Sequence, residues 1–193
     1  MAQHLIFEGA ELSGKSWVMA QIYKRLEPAG ATSSDVLNGC YWFNCDLGFF
    51  GTAPAGKILK NYLKIFKTLK DKNIILEKFQ VSAAVYGDLY DSPLNHFKKI
   101  EKRLKKLNFK IILLTFPVSR DLIAKRLQDR LNLYPAYGRI AKSPEWYLEQ
   151  QAQYLEIIKK SKLDYLVLEV AQFPNEEIIH KIETWSENNL NIK

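Results

Sequence analysis

Gly9-Ala10-Glu11-Leu12-Ser13-Gly14-Lys15-Ser16 is the stretch that decides how this chain is read. It matches G-x-x-x-x-G-K-[ST], a phosphate-binding loop. Its glycines let backbone N–H groups turn toward phosphate oxygens, its lysine reaches the β- and γ-phosphates, and its hydroxyl ligates Mg²⁺. The flanks have the order that such a loop needs. His4-Leu5-Ile6-Phe7 reads as a short buried strand, and residues 15–26 as an amphipathic helix with Val18, Met19, Ile22 and Leu26 on one face. The helix N-terminus adds the positive end of its dipole to the loop. Gly9, Ala10, Leu12, Ser13, Gly14, Lys15, Ser16 and Trp17 are therefore the expected contacts to the phosphates of a nucleotide, with Ser16 a ligand of its Mg²⁺.

Outward from the loop, strand and helix alternate. Short apolar runs predict strands near 4–8, 40–44, 73–77, 109–116 and 164–169. Helices fit near 15–26, 57–71, 82–90, 94–107, 119–131, 144–161 and 175–188. Ser143-Pro144-Glu145 is a helix start, with Ser143 as the cap and Pro144 at the first helical position. Asn73-Ile74-Ile75-Leu76 and Lys110-Ile111-Ile112-Leu113-Leu114 are nearly continuous apolar runs, as in strands covered on both faces of a parallel sheet. The expected fold class is a three-layer α/β architecture with a central parallel sheet of about five strands and ligands at their carboxyl ends. Residues 28–56 and 131–143 carry glycines, prolines and aromatics and read as long loops, where function concentrates.

At 193 residues with 47% hydrophobic content, one domain over 1–193 is expected. No apolar run reaches transmembrane length and no signal peptide is visible, so the expected location is the cytosol, away from membranes. Cys40 and Cys45 fit no zinc spacing, and an offset of five points them to opposite faces of a strand as reduced thiols. The net charge of +7 suits an enzyme with polyanionic ligands. Two stretches supply much of it. Lys57, Lys60, Lys64 and Lys67 form one, and Lys98, Lys99, Lys102, Arg103, Lys105 and Lys106 the other. Both read as solvated faces of amphipathic helices rather than a nucleic-acid surface.

Phe7-Glu8-Gly9-Ala10-Glu11-Leu12-Ser13-Gly14-Lys15-Ser16 resembles the opening of thymidylate kinases and related deoxynucleoside kinases, F-E-G-x-D-x-x-G-K-S/T, with Glu11 on the acidic position. Glu77-Lys78-Phe79-Gln80-Val81-Ser82-Ala83-Ala84-Val85-Tyr86-Gly87 resembles the D-R-Y-x-x-S-x-x-A-Y-Q of the same family, with the acidic residue, aromatic, serine and tyrosine in register. Lys78 stands where that family has arginine, and Gly87 where it has glutamine. Its R-E-P-G-G-T loop has no equivalent beyond a faint echo in Pro28-Ala29-Gly30-Ala31-Thr32.

The resemblance implies a P-loop kinase fold and Mg²⁺·ATP-dependent phosphoryl transfer to a nucleoside monophosphate. It implies a lid segment at 126–143 and a catalytic set of Lys15, Glu11, Lys78 and the lid arginines Arg126 and Arg130. Ser16 and Glu77 would hold the metal. Asp46, Phe49, Phe79, Ser82, Tyr86 and Arg139 would bind the acceptor, and Val170-Ala171-Gln172-Phe173 the donor adenine. Thymidylate kinases dimerise through helices, so a homodimer is implied as well. Two rival readings stay open. One is a deoxynucleoside kinase in which Asp46 deprotonates a 5′-hydroxyl; the other is an ATP-binding switch without transfer. No N-K-x-D motif marks a GTPase.

Overall fold

The computed structural model describes residues 2–27, 39–46, 48–89 and 97–188. The strands are β1 (His4–Glu8), β2 (Cys40–Asn44), β3 (Asn73–Glu77), β4 (Phe109–Thr115) and β5 (Tyr165–Glu169). They form a single sheet in the order β2-β3-β1-β4-β5, and every pairing is parallel. The helices are α1 (Lys15–Leu26), α2 (Ala55–Thr68), α3 (Gln80–Leu89), α4 (Phe97–Lys106), α5 (Arg120–Leu133), α6 (Pro144–Ile158) and α7 (Glu176–Asn188), with a 3-10 turn at Pro135–Arg139 between α5 and α6.

The continuous apolar strands are explained by burial on both faces. Along β1, Leu5 and Phe7 join a core with Val18, Met19 and Ile22 of α1 and Ile179 and Ile182 of α7. Ile6 points the other way, into a larger core with Leu59, Leu63 and Phe66 of α2, Ile100 and Leu104 of α4, and Tyr147 and Tyr154 of α6. β4 divides likewise, Ile111 and Leu113 to one side and Ile112 and Leu114 to the other. The helices thus form unequal layers, α1 and α7 against α2 to α6. Cys40 and Cys45 are free, buried and in opposite cores, as their spacing predicts. Burial raises both thiols, Cys40 to about 12.

Helix ends follow their caps. Ser143 Oγ accepts from Trp146 N with Pro144 in the first turn, and Ser119 Oγ accepts from Leu122 N. The loop 28–56 is interrupted by β2, and its residues 28–38, including the faint echo at 28–32, lie outside the described residues. So do 94–96, the first positions expected for α4. The loop expected at 131–143 is partly helical, carrying the end of α5 and the 3-10 turn. Among the described residues, no helix is long and apolar enough to cross a membrane.

Candidate active site

The sheet order sets β1, β2 and β3 side by side at their carboxyl ends. Glu77 pairs with Phe7 on one side and Asn44 on the other. Glycine is required where β1 passes into α1. Gly9 has φ +139, and a Cβ there would lie 2.2 Å from Leu114 O. Gly14 has φ +83, and a Cβ there would lie 1.8 Å from Phe173 Cζ. A side chain at Gly9 would therefore meet fixed backbone, whereas at Gly14 it would meet the tip of the Phe173 ring in a left-handed backbone conformation.

Lys15 folds over this loop. Its Nζ donates to the carbonyls of Gly9 and Ala10, both at 2.8 Å, and to Ser13 Oγ at 3.4 Å. Burial dominates its titration and pulls its pKa down to about 8, against the attraction of Glu11, Glu77 and Glu8. Ser16 Oγ donates to Glu77 Oε1 at 3.0 Å, which sets two side-chain oxygens together at the loop. Mg²⁺ keeps several waters and is completed by substrate phosphates, so a hydroxyl and one carboxylate fit it.

Lys78 lies just past β3 with φ +57, a left-handed conformation uncommon outside glycine. Its N–H donates to Phe7 O at 2.9 Å. Its side chain, 3% exposed, ion-pairs with both Glu11 and Asp46 and lies 3.5 Å from Tyr86 OH. Burial opposes the charge on Lys78, but Glu11, Tyr86, Tyr154 and Asp46 outweigh it and hold its pKa well above 10.5. Burial likewise pushes the Glu11 carboxyl up, but Lys78 and Lys15 overcome this and hold it at about 2. Tyr86 is raised by burial to about 12.

Two cavities meet at this cluster. One, of ≈ 620 Å³, is lined by Lys15, Ser16, Trp17, Glu77, Arg126 and Phe173 among others. The second, of ≈ 420 Å³, is lined by Tyr86, Tyr137, Arg139, Lys142, Trp146 and Tyr147 among others. Glu11, Asp46 and Arg130 line both. On the first cavity, Phe173 meets Trp17 edge-on with centroids 5.3 Å apart, and the Arg126 guanidinium lies 5.4 Å from its ring centre.

Several expected site residues stand elsewhere. Phe79 is fully buried among Tyr62, Phe66 and the rest of the larger core. Phe49 is 7% exposed and packs on Phe50. Neither lines a cavity described above, so neither stacks an acceptor base there. Ser82 is buried, with Oγ bonded to Glu8 and 2.8 Å from Tyr154 OH, so it braces α3 and does not reach the cavities. Arg126 lines the first cavity and lies over the rings of Phe116 and Phe173. It donates to Leu12 O at 3.0 Å, Val170 O at 2.7 Å and Ala171 O at 3.0 Å, joining the phosphate loop to the segment after β5. Arg130 lies over the rings of Tyr134 and Tyr137, and Arg139 is exposed at the rim. Ala10 is fully buried, so its contribution to a ligand is through the backbone.

Two supports escaped sequence reading. Glu8 is fully buried and accepts from the N–H groups of Phe79, Val81 and Ser82 at 2.9, 3.1 and 3.2 Å, capping α3 from another element. Burial raises its pKa. Gln150 Oε1 accepts from Glu11 N at 3.0 Å. The signal for Gln150 lay in α6, where Tyr147, Gln150, Gln151 and Tyr154 recur at i, i+3, i+4 and i+7 and are all buried. A polar stripe on the core side of a helix marks a network rather than plain packing. No local signal points from Glu8 to a helix more than seventy residues away.

No protein-family model matches the chain, and no curated protein matches its sequence. Solved structures do match. A YorR protein from Bacillus subtilis, in complex with phosphorylated GDP, superposes with a TM-score of 0.68 at 19% identity over 99% of each chain. Polyphosphate kinase 2 from Arthrobacter aurescens gives 0.60 at 14% identity over 100% of this chain and 70% of that one. Deoxyadenosine kinase from M. mycoides with bound dATP gives 0.53 at 17% identity over 98% and 100%. The fold that this chain shares with them is the P-loop kinase fold, an all-parallel five-stranded sheet flanked by helices.

Proposed function

We propose that the protein transfers the γ-phosphoryl group of Mg²⁺·ATP to a nucleoside monophosphate, as the thymidylate kinase-like motifs imply. The carrying observation is the pair of cavities that meet at Glu11, Asp46 and Arg130, with Lys15 and Lys78 on the first and Lys78 ion-paired to the shared Glu11 and Asp46. ATP fills the first cavity, its phosphates in the loop and its base toward Phe173 and Trp17. Ser16 and Glu77 hold the Mg²⁺, whose charge offsets that of the phosphates. The acceptor fills the second cavity, where Arg130, Arg139 and Lys142 offer three cations to an anionic group and Tyr86, Tyr137 and Trp146 offer rings. An acceptor phosphate oxygen attacks the γ-phosphorus, the bond to the β–γ bridging oxygen breaks, and ADP leaves with that electron pair. Transfer of this kind depends on positioning and positive charge, which Lys15, Lys78 and Arg130 supply.

Asp46 favours a second reading. Its carboxylate lines both cavities, so a nucleoside 5′-hydroxyl could lose its proton there. That two structural neighbours hold nucleotides supports either acceptor class. Labelled ATP screened against nucleosides and their monophosphates is the test. Label should pass to a monophosphate and not when Lys15 is alanine. Label on nucleosides alone favours the second reading, and label released only as inorganic phosphate leaves a nucleotide-binding switch.

A further inference from the structure

The excess positive charge of this chain is concentrated in one place. α2 and α4 together carry ten basic residues and a single acidic one, Glu101. The remainder of the chain carries eighteen basic and twenty acidic residues, so without these two helices the +7 would be −2. The two helices are far apart in sequence, yet they pack on each other in the layer of α2 to α6. Lys57, Lys64, Lys67, Lys98, Lys99, Lys102, Arg103, Lys105 and Lys106 are exposed. Glu101 is 2% exposed and turned inward, bonded to Ser161 Oγ and to Lys162 N at 2.9 Å. No ion pair among the described residues involves either helix.

The α4 end of this face lies away from the phosphate loop. Lys106 immediately precedes β4 and Lys162 precedes β5, so both lie at the amino-terminal edge of the sheet, whereas the loop lies at the carboxyl edge. A groove of ≈ 470 Å³ runs there, lined by Lys98, Lys99, Lys102, Lys105, Lys106 and Lys162, with Glu101 the one acidic residue in its wall.

We infer that the outer faces of α2 and α4 dock the phosphate backbone of duplex nucleic acid, independently of the kinase site. Nine exposed cations with no carboxylate partner among the described residues repel one another, and a polyanion relieves that repulsion. Helices of these lengths run about 21 and 15 Å and pack 8–10 Å apart, so the cations cover about six base pairs of a duplex. Single strands fit poorly, because stacking bases need exposed rings and Phe66 is buried while Tyr62 and Phe97 are half-buried. A lipid surface fits poorly too. The apolar sides of both helices, Leu59, Leu63, Phe66, Ile100 and Leu104, are consumed by the core, and Ile65 alone remains exposed. The contacts are to phosphates only, so binding is independent of base sequence. Each helix alone reads as a solvated face; their juxtaposition is what departs from that expectation.

Fluorescence anisotropy of a labelled mixed-sequence 24-base-pair DNA duplex tests this across 50–200 mM salt. With about five phosphate contacts, affinity should fall about 500-fold over that range. The triple variant K98Q/K99Q/K102Q should lower the slope of log K against log salt by about 2.7, and should leave phosphoryl transfer and thermal unfolding unchanged. The control K24Q/K159Q/K181Q removes the same charge from α1, the end of α6 and α7, and should bind like wild type. The inference is overturned if wild type does not bind at 50 mM salt, if both triple variants lose equally, or if phosphatidylserine vesicles bind wild type more tightly than the duplex does.

Discussion

Replacing Lys78 by methionine is the sharpest probe of the cluster between the two cavities. The ammonium group holds Glu11 and Asp46 while 3% exposed, and methionine keeps the length of the side chain without the charge. The Glu11 carboxyl, ordinarily near 4.5, is held at about 2. A carboxyl depressed on folding stabilises the fold fully above its unfolded value and loses that contribution as pH falls through the folded value, so the window is pH 4.5 to 2. A shift of this size amounts to about 3 kcal/mol at neutral pH. Glu11 keeps 29% of its side-chain surface, so solvent makes this an upper figure. The raised pKa of Lys78 expresses the same attraction and is not counted again. Urea unfolding should therefore place Lys78→Met below wild type at pH 6 by no more than about 3 kcal/mol, since Lys15 and Tyr86 still face Glu11 in the variant. As pH falls toward 2, wild type loses the Glu11 contribution and the gap should close to within about 1 kcal/mol. Lys78→Arg, which retains the charge, should keep the wild-type acid dependence. A gap that stays constant from pH 6 to pH 2 would refute the coupling of Lys78 to Glu11.

Lys15→Ala should lower phosphoryl transfer more than tenfold, over 1.4 kcal/mol of barrier, yet leave urea stability of the free protein unreduced, because burial already disfavours the charged lysine. Retained transfer would remove the loop from the chemistry. Gly14→Ala combines a left-handed backbone penalty of about 1–2 kcal/mol with a collision against Phe173; in a Phe173→Ala background only the backbone penalty should remain, as a double-mutant cycle by urea unfolding will read. Equal costs in both backgrounds would show that the ring is not the obstacle. Asp46→Asn should change kcat little on a monophosphate acceptor and lower it by about 10²–10⁴-fold on a nucleoside, where a hydroxyl proton must be removed. A thousand-fold loss on a monophosphate would contradict that division of roles.

What the sequence determined by itself was local. Strand positions at 4–8, 40–44 and 73–77 coincide with β1, β2 and β3, because a run of apolar residues bounded by polar ones states its own length. The phosphate loop was legible because each function in it needs a specific residue type at a specific offset. Ser143 and Pro144 announced α6 for the same reason.

Tertiary structure decided the assignments that depend on which way a side chain faces at a distance. Phe79 and Tyr86 belong to one motif, yet one is sealed in the core and the other opens on the second cavity. Arg126 and Arg130 share α5, but only packing shows that Arg126 ties Leu12 to Val170 and Ala171. Glu8 caps a helix that begins at Gln80, and Lys78 meets Glu11 and Asp46 only because β1, β2 and β3 end together. Hydrophobic period follows from short-range geometry and is written in neighbouring residues. Which buried charges find one another follows from sheet order, a long-range property that no window of sequence contains.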